Sequence, residues 1–423
     1  MGRGDEAAET GRGNSRIAWY ALSVAFFFVL VSRGVIDTWM VFLLPIEQEF
    51  NVNRQLTAGV FSTYMLATGL SAPLAGLMLR RFGYRLCYCL GLALIALANF
   101  IASRAHGMLE LYLCIGILSS IGISAIGVVP ASALIGRWFR HRMSVAMGAV
   151  YAGLGTGSLL LVPLAQWLIE LQGWRATYIL MASSVAVLAL IALILPWRTL
   201  EGGNAEPIVA AGSGGTASPP EGITLRQAIR CREFIGLFIS FGCTGLGMYI
   251  VVVQAVPFLI DGGVSPLKAA TAYGLCGMLS VGGVIITGWL SDRFGLRPVA
   301  LASFACTFGG ILCLLGLSFG VSEILLASYV ACFGIAQGAR GPIVATLSNR
   351  LFPGPSAAAI YGVIYASSNI GAGGGAWLSG LLHDMTGSYR PALLLAAVII
   401  FSAAMPFAFV RAFRAPQPVQ PLT

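Results

Sequence analysis

The chain has 423 residues, of which 57% are hydrophobic and only 10% are charged. Soluble domains carry about 25% charged residues, so this composition excludes an ordinary soluble fold. The net charge of +9 comes from small basic groups between apolar stretches, without a basic face or tail, which argues against a nucleic-acid partner. No pair of the nine cysteines has the spacing of a zinc or redox motif, and no metal or other cofactor is expected.

Apolar stretches long enough to cross a bilayer, roughly 20 residues each, recur along the whole chain. They predict an all-α membrane protein with twelve transmembrane helices in two pseudo-symmetric six-helix bundles. Helices 1 to 6 are predicted at 17–45, 55–79, 86–103, 109–135, 144–171 and 178–197. Helices 7 to 12 are predicted at 234–260, 268–290, 298–319, 323–347, 357–382 and 391–410.

The polar segments between these stretches divide the chain into five regions. They are a tail at 1–16, a bundle at 17–197, a linker at 198–233, a second bundle at 234–411 and a tail at 412–423. Gly, Ser, Ala and Pro dominate 198–222, which is typical of a flexible linker. Basic and apolar residues alternate over 225–232, which predicts an interfacial helix. The first fifteen residues hold both charge signs, unlike a cleavable signal peptide.

The distribution of basic residues predicts the orientation in the membrane. If the N-terminus is cytoplasmic, 18 of the 25 Lys and Arg residues fall in inside segments and five in outside loops. The remaining two, Arg33 and Arg340, fall within helices. This bias follows the positive-inside rule, so both termini are expected to be cytoplasmic.

An internal repeat relates the two halves. Pro45 and Gly76 recur as Pro257 and Gly288, each shifted by 212 positions, and Pro130 recurs as Pro342 with the same shift. The loops that begin at the two glycines read GLMLRRFGYR at 76–85 and GWLSDRFGLR at 288–297. The repeat indicates that the halves are duplicated six-helix units.

These loops resemble the GxxxDRxGxR signature of the major facilitator superfamily. The second half matches it in full, at Gly288, Asp292, Arg293, Gly295 and Arg297. The first half matches at Gly76, Arg81, Gly83 and Arg85 but has Arg80 where the family usually places Asp. The resemblance therefore implies a gating role for both loops, with a gating salt bridge retained only through Asp292.

Further segments narrow the resemblance to the monocarboxylate carrier and oxalate/formate antiporter branch, bacterial type. They are VFLLPIEQEF at 41–50, GRWFRHRMSVAMGAVYAG at 136–153, QGWRATY at 172–178, ARGPI at 339–343 and HDMTGSYRPA at 383–392. This similarity implies a mono- or dicarboxylate substrate and a place in the bacterial inner membrane. Two departures stand out: Val284 replaces an Arg that branch members often carry in helix 8, and Asp37 lies near where animal carriers have Lys.

Three charged residues fall well inside predicted helices, away from the helix ends, where a charge costs roughly 2.5–3.5 kcal/mol. Arg33 and Asp37 are four residues apart in helix 1, close enough to pair on one helix face. Arg340 stands alone in helix 10, followed by Gly341 and Pro342, which can loosen the helix. The resemblance implies that helices 1, 4, 7 and 10 line a central cavity, which places both arginines there.

We predict that Arg33 and Arg340 bind the substrate, because a guanidinium forms two parallel hydrogen bonds with a carboxylate. The alternatives are that Arg340 braces a neighbouring helix or reaches toward the interface, and that Arg33 pairs permanently with Asp37. Asp37 is the candidate carrier of a coupled proton, because desolvation makes a carboxyl easier to protonate.

Polar and small residues in other helices give weaker signals. Tyr249, Gln254 and Asn369 are candidate polar contacts to the substrate, with a structural role as the alternative. The pairs Gly153 with Gly157 and Gly371 with Gly375 superficially resemble nucleotide-binding loops. They lie inside apolar helices without a preceding strand, so we interpret them as helix-packing pairs.

Together these features predict a secondary active transporter of a small organic anion, working as a monomer in the lipid bilayer by alternating access of its two bundles. Coupling to protons and exchange of another anion both remain open. The alternative is a proton-coupled exporter of drugs or other small metabolites, although two cavity arginines would repel cations. An enzyme is not predicted, because the three histidines, His106, His141 and His383, fall in predicted loops.

Overall fold

A computed structural model describes residues 3–139, 143–202, 224–320, 322–352 and 357–413. All regular secondary structure in these ranges is helical. The long linker at 203–223 lies outside the described residues, as do the side chains of Arg80 and Asp292. The predicted gating salt bridge of Asp292 therefore also lies outside the described part.

The first half forms helices 1 to 6. Helix 1 comprises Arg3–Asp37 and Trp39–Phe50, and helices 2 and 3 form the continuous run Arg54–Ser103. Helix 4 consists of four short segments: Met108–Leu111, the π-helical Tyr112–Leu118, Ser119–Ile126 and Val128–Gly136. Helices 5 and 6 form the continuous run Met143–Ile194. Helix 1 continues past Pro45 to Phe50, beyond its predicted end, because a membrane helix tolerates proline when its neighbours satisfy the freed carbonyl.

The second half repeats this plan as helices 7 to 12. They are Arg232–Asp261, Pro266–Phe294, Leu296–Leu317, the pair Glu323–Gln337 and Arg340–Leu351, Ala357–Thr386 and Arg390–Phe409. Short helices at Trp197–Glu201 and Leu225–Ala228 lie between the halves. The predicted interfacial helix is thus a single turn capped by Thr224, and Arg232 already belongs to helix 7.

Nine helical stretches among the described residues are long and apolar enough to cross a membrane. One of them, Gly148–Ile194, contains two crossings separated by a kink at Gly173. Helix 2 and helix 11 bring the number of crossings to twelve, as predicted.

The backbone at the turns records the duplication. The described residues with positive φ form three pairs in equivalent places of the two halves: Asn51 with Gly263, Gly83 with Gly295, and Gly173 with Gly387. The first two pairs are 212 positions apart, the repeat found in the sequence. Gly83 and Gly295 combine φ of 75° and 88° with ψ of 176° and 158°, a region open essentially to glycine alone. The signature glycines are therefore required by the turns of helix 2 into 3 and helix 8 into 9.

An even number of crossings places both chain ends at the same face of the bundle. We call this the terminal face; it also holds the turns at Gly83 and Gly295. The opposite face, which holds the turns at Asn51, Gly173, Gly263 and Gly387, is the distal face.

The halves meet along two seams, helix 5 against helix 8 and helix 2 against helix 11. A methyl group added to Gly274 would lie 2.8 Å from the Cα of Leu159, and one added to Gly380 would lie 2.6 Å from the Cα of Gln55. Toward the terminal face, a methyl group on Gly148 or Gly288 would meet no atom of the described residues within 4 Å. The closest approaches between the halves among the described residues therefore lie at the membrane centre and the distal end.

Candidate functional site

A cavity of about 260 Å³ lies between the halves. Its walls come from helices 1 and 5 of the first half and helices 7, 8, 10 and 11 of the second. The resemblance implied helices 1, 4, 7 and 10; helix 4 contributes no lining residue among those described, and helices 5, 8 and 11 do. The two predicted arginines, Arg33 and Arg340, both line this one cavity, as do Asp37 and Tyr249.

Arg33 and Asp37 form an ion pair on the helix 1 side of the cavity. The Nε of Arg33 donates to Oδ2 of Asp37 at 2.8 Å, the contact expected from their four-residue spacing. Ser158 of helix 5 donates a second hydrogen bond to the same oxygen. The other oxygen, Oδ1, is buried and has no hydrogen-bond donor among the described residues. The side chain of Arg33 keeps 26% of its surface exposed, so this arginine is both paired and accessible.

Close packing of helix 1 on helix 5 brings Ser158 to this carboxylate. A methyl group on Gly157 would overlap the carbonyl oxygen of Leu30, and one on Gly153 would lie 2.7 Å from that of Phe26. On the other side of the cavity, Gly371 and Gly375 lie equally close to the backbone of helix 7. The interpretation of both glycine pairs as helix-packing pairs is confirmed.

Arg340 lies on the helix 10 side of the cavity at a break in the helix. Helix 10 ends its first segment at Gln337 and resumes at Arg340, and the residue is only 2% exposed. Its Nη2 donates to Oγ1 of Thr307 at 2.8 Å and to the carbonyl oxygen of Ala336 at 3.2 Å. The guanidinium also lies 4.8 Å from the ring centre of Phe304.

The rest of the Arg340 guanidinium is unsatisfied by the described chain. Its Nε and Nη1 are buried without an acceptor, and none of the described acids forms an ion pair with it. A buried donor without a partner costs about 1–3 kcal/mol, and more when it is charged. Arg340 does brace helix 9 through Thr307, yet that contact uses one of its three nitrogens.

The remaining predicted contacts divide between the cavity and the second half's interior. Tyr249 lines the cavity and stacks on Phe61 of helix 2 with ring centres 5.9 Å apart. Gln254 is absent from the described lining, because it points to helix 11 and donates to Ser379 at 3.1 Å. Asn369 is also absent from it and packs at the seam with helix 2, near Gly69, while its neighbour Ser368 lines the cavity.

Several cavity residues were not singled out from the sequence. They are Ser158, Phe241, Tyr273 and Gln337. Ser158 shares a helix face with Tyr151 and Gly155, a spacing that could have indicated a polar stripe on helix 5.

The signature loops have different environments in the two halves. Arg297 donates from Nε and Nη2 to the carbonyl oxygens of Phe407 and Ala408, at 2.8 and 2.9 Å, and so caps the end of helix 12. The equivalent Arg85 is exposed. Arg81 and Arg293 are also exposed and lie against aromatic rings, the former over Phe82 and the latter over Trp289 and Phe294. Gly76 and Gly288 both lie within helices.

A cluster of charged residues joins the halves at the distal face, and we call it the distal cluster. At its centre Arg54, 4% exposed, donates to Glu47 at 2.9 Å, to Asp261 at 3.4 Å and to the hydroxyl of Tyr389. The carboxylate of Asp384 accepts the backbone N–H groups of Arg54 and Gln55 at 3.0 and 2.8 Å, which caps helix 2 from the other half. His383 lies beside it inside helix 11, not in a loop as predicted.

Two duplicated six-helix bundles that enclose a charged cavity in the membrane define a polytopic membrane transporter. The family model described as Major Facilitator Superfamily matches residues 22–359 and 283–422. The chain therefore belongs to this superfamily, and it is a transporter and not an enzyme.

Relatives and solved structures agree with this assignment. The chain is 27% identical to monocarboxylate transporter 13 of Bos taurus over 387 residues, covering 91% of this chain and 87% of the relative. It is 26% identical to human monocarboxylate transporter 12, covering 96% and 83%. A bacterial homologue of the human lysosomal transporter Spinster has the same fold, with a TM-score of 0.72, 16% identity and coverage of 96% and 99%. The predicted resemblance to the monocarboxylate carrier branch is confirmed.

Proposed function

We propose that the protein carries a small organic anion with a carboxylate group across the membrane, and that Arg340 binds this group. The observation that carries the proposal is the buried guanidinium with two donors that lack acceptors, on the wall of the central cavity. A carboxylate supplies two acceptor oxygens in the geometry that the guanidinium fork needs. The relatives are monocarboxylate transporters, which supports the same class of substrate.

The charge of the cavity also favours an anion. Its charged lining residues among those described are Arg33, Asp37 and Arg340, which leaves one positive charge after the ion pair is counted. A cationic drug would meet an uncompensated like charge in a region of low dielectric. Arg33 is the second anion contact, because its exposed guanidinium has donors beyond the one that Asp37 uses.

Transport proceeds by alternating access of the two halves around this cavity. The distal cluster holds the halves together on one side, while the described glycines Gly148 and Gly288 have open space beside them toward the terminal face. Breaking the contacts of Arg54 with Asp261 and Tyr389 would open the distal side, and closure of the terminal side would complete the exchange of access.

Asp37 carries the coupled proton in this proposal. Protonation of its carboxyl would weaken the ion pair with Arg33 and free that guanidinium for the substrate. Exchange against a second anion, with Asp37 as a permanent partner of Arg33, is the competing mode. The two differ in whether a pH gradient drives uptake.

The site is complete within one chain, which supports a monomeric transporter. The distribution of basic residues supports cytoplasmic termini, with the terminal face as the cytoplasmic one.

Uptake by proteoliposomes tests the proposal. With purified protein and a pH gradient that is acidic outside, we expect labelled benzoate or propionate to accumulate above the level of empty liposomes. Arg340→Ala should abolish uptake and Arg340→Lys should reduce it more than tenfold, because a lysine lacks the two-pronged geometry. Arg350→Ala is the matched control, since Arg350 is exposed at the end of the same helix. Full uptake by Arg340→Ala would remove Arg340 from the site.

A further inference from the structure

The walls of the central cavity are aromatic as well as charged. Phe241 and Tyr249 of helix 7 and Tyr273 of helix 8 line it, together with the side chains of Met248 and Val252. The aromatic residues come from two helices, so they border the cavity on more than one side. A ligand bound by Arg340 would therefore place its body against rings.

Aromatic residues continue from the cavity toward the terminal face. Tyr365 of helix 11 lies 6.2 Å from Phe241 and 6.1 Å from Tyr361, measured between ring centres. Tyr151 of helix 5 faces the same space, because it precedes the lining residue Leu154 by three positions. Tyr365 and Tyr151 are 50% and 42% exposed. We call Tyr151, Tyr361 and Tyr365 the tyrosine vestibule.

The size of the cavity exceeds that of the smallest carboxylic acids. A cavity of about 150 Å³ lined by apolar side chains holds one benzene molecule, and this cavity measures about 260 Å³. It therefore accommodates a six-membered ring, a carboxylate and a short connection between them. A two- or three-carbon acid would leave most of the aromatic wall in contact with water.

The charge of the cavity selects one carboxylate and not two. Arg33 is balanced by Asp37 at 2.8 Å, whereas Arg340 has no acidic partner among the described residues. While Asp37 is ionised, a monoanion neutralises the cavity. A dianion would then leave one negative charge uncompensated beside the buried guanidinium of Arg340, which is costly.

We propose that the preferred substrate is a monocarboxylate with an aromatic ring, whose ring packs against Phe241, Tyr249 and Tyr365 while its carboxylate binds Arg340. This inference rests on the proposed function and specifies its substrate class. Aromatic rings favour offset or edge-to-face contacts with ring centres 4.5–7 Å apart, the spacing that already relates Phe241 to Tyr365.

A panel of acids matched in charge or size tests the inference. Uptake and thermal stabilisation of the purified protein would be compared for benzoate, phenylacetate, cyclohexanecarboxylate, propionate and terephthalate. We expect benzoate and phenylacetate to have a KM about tenfold below that of propionate, and cyclohexanecarboxylate to fall between them, because it fills the volume without aromatic contacts. Terephthalate, a dianion of similar width, should bind weakly.

Variants of the tyrosine vestibule distinguish the contribution of the Tyr365 ring to binding from that of its hydroxyl. Tyr365→Leu should raise the KM for benzoate several-fold and leave that for propionate unchanged, whereas Tyr365→Phe should preserve both. Tyr20→Leu is the control, since Tyr20 is an exposed tyrosine of helix 1 far from the cavity lining.

The outcomes distinguish this inference from the proposed function. The aromatic preference would be overturned if propionate or cyclohexanecarboxylate were taken up at least as efficiently as benzoate. If that uptake still depended on Arg340, the proposed anion carrier would stand. Absence of uptake and stabilisation for every acid in the panel, with lipophilic cations transported instead, would overturn both.

Discussion

Two buried arginines show how the same side chain serves different purposes in the distal cluster and in the central cavity. Arg54 has acidic partners on both halves, Glu47 and Asp261, and is nearly inaccessible. Arg340 is just as buried but has only neutral contacts among the described residues, including Thr307 and Ala336. A charge that the protein neutralises itself holds parts of the protein together. A charge without a counterion among the described residues is, under the proposed function, the one that binds the substrate.

Arg33 lies between these extremes. It is paired with Asp37 yet keeps a quarter of its side chain exposed to the cavity. The comparison therefore predicts a graded response: replacement of Arg340 should affect binding, replacement of Arg54 should affect stability and access, and changes around Arg33 should affect coupling.

The largest expected effect is that of Arg340→Met. Methionine keeps the length of the side chain and removes an uncompensated buried charge, so the free energy of unfolding should rise by about 2 kcal/mol. The apparent affinity for benzoate, measured from the thermal stabilisation that benzoate causes, should fall more than about 100-fold, because a buried charged hydrogen-bond pair is lost. Thermal melts with and without benzoate measure both quantities, with Arg350→Met as control. A destabilised variant would show that Arg340 is chiefly a brace for helix 9.

Arg54→Met should have the opposite signature. It leaves the carboxylates of Glu47 and Asp261 without their cation, so stability should fall by about 1–2 kcal/mol, less than for a fully buried pair because both carboxylates are partly exposed. Access from the distal side should increase, because Arg54 links helices 2, 7 and the start of helix 12. Labelling of Val252→Cys by a membrane-impermeant maleimide, in a background without the native cysteines, measures this access.

The control for the distal cluster is Arg104→Met, an exposed distal arginine that lies on the ring of Phe100. If the labelling of Val252→Cys is the same with and without Arg54→Met, the distal cluster is not a gate.

Asp37→Asn tests the coupling. It removes the anionic partner of Arg33, which should cost about 1–2 kcal/mol of stability, less than for a fully buried pair because Arg33 is partly exposed. If Asp37 carries the proton, uptake driven by a pH gradient should disappear while exchange of benzoate against benzoate persists. Uptake that still follows the pH gradient would assign the proton to another group.

Ser158→Ala should have the smallest effect of the series. It removes one hydrogen bond to a carboxylate, which is worth about 1–2 kcal/mol, and leaves the ion pair of Arg33 with Asp37 in place. We expect a modest change in the pH dependence of uptake and little change in the KM for benzoate.

The corresponding change on the other side of the cavity, Thr307→Val, should raise the KM for benzoate several-fold, because Arg340 loses its only side-chain oxygen contact among the described residues.

Contacts within one helix followed directly from the sequence. The four-residue spacing of Arg33 and Asp37 determines that they share a helix face. The 212-residue repeat implies equivalent turns, as two of the three pairs of positive φ angles show. Charge inside an apolar helix is costly wherever that helix packs, so the three ionisable residues were recognisable without a structure.

Contacts between helices depended on tertiary structure. The rotation of each helix about its axis decides whether Arg340 meets an acid and whether Gln254 faces the cavity or Ser379. The same rotation decides whether helix 4 or helix 5 lines the cavity. That rotation is set by close approaches such as Gly157 on Leu30 and Gly155 on Gly277. The local pattern marks a glycine as a packing residue but does not specify which helix it meets. The sequence alone thus determined the twelve duplicated helices and their charged residues, whereas only the packing of those helices decided which charges are neutralised and which one is left for a ligand.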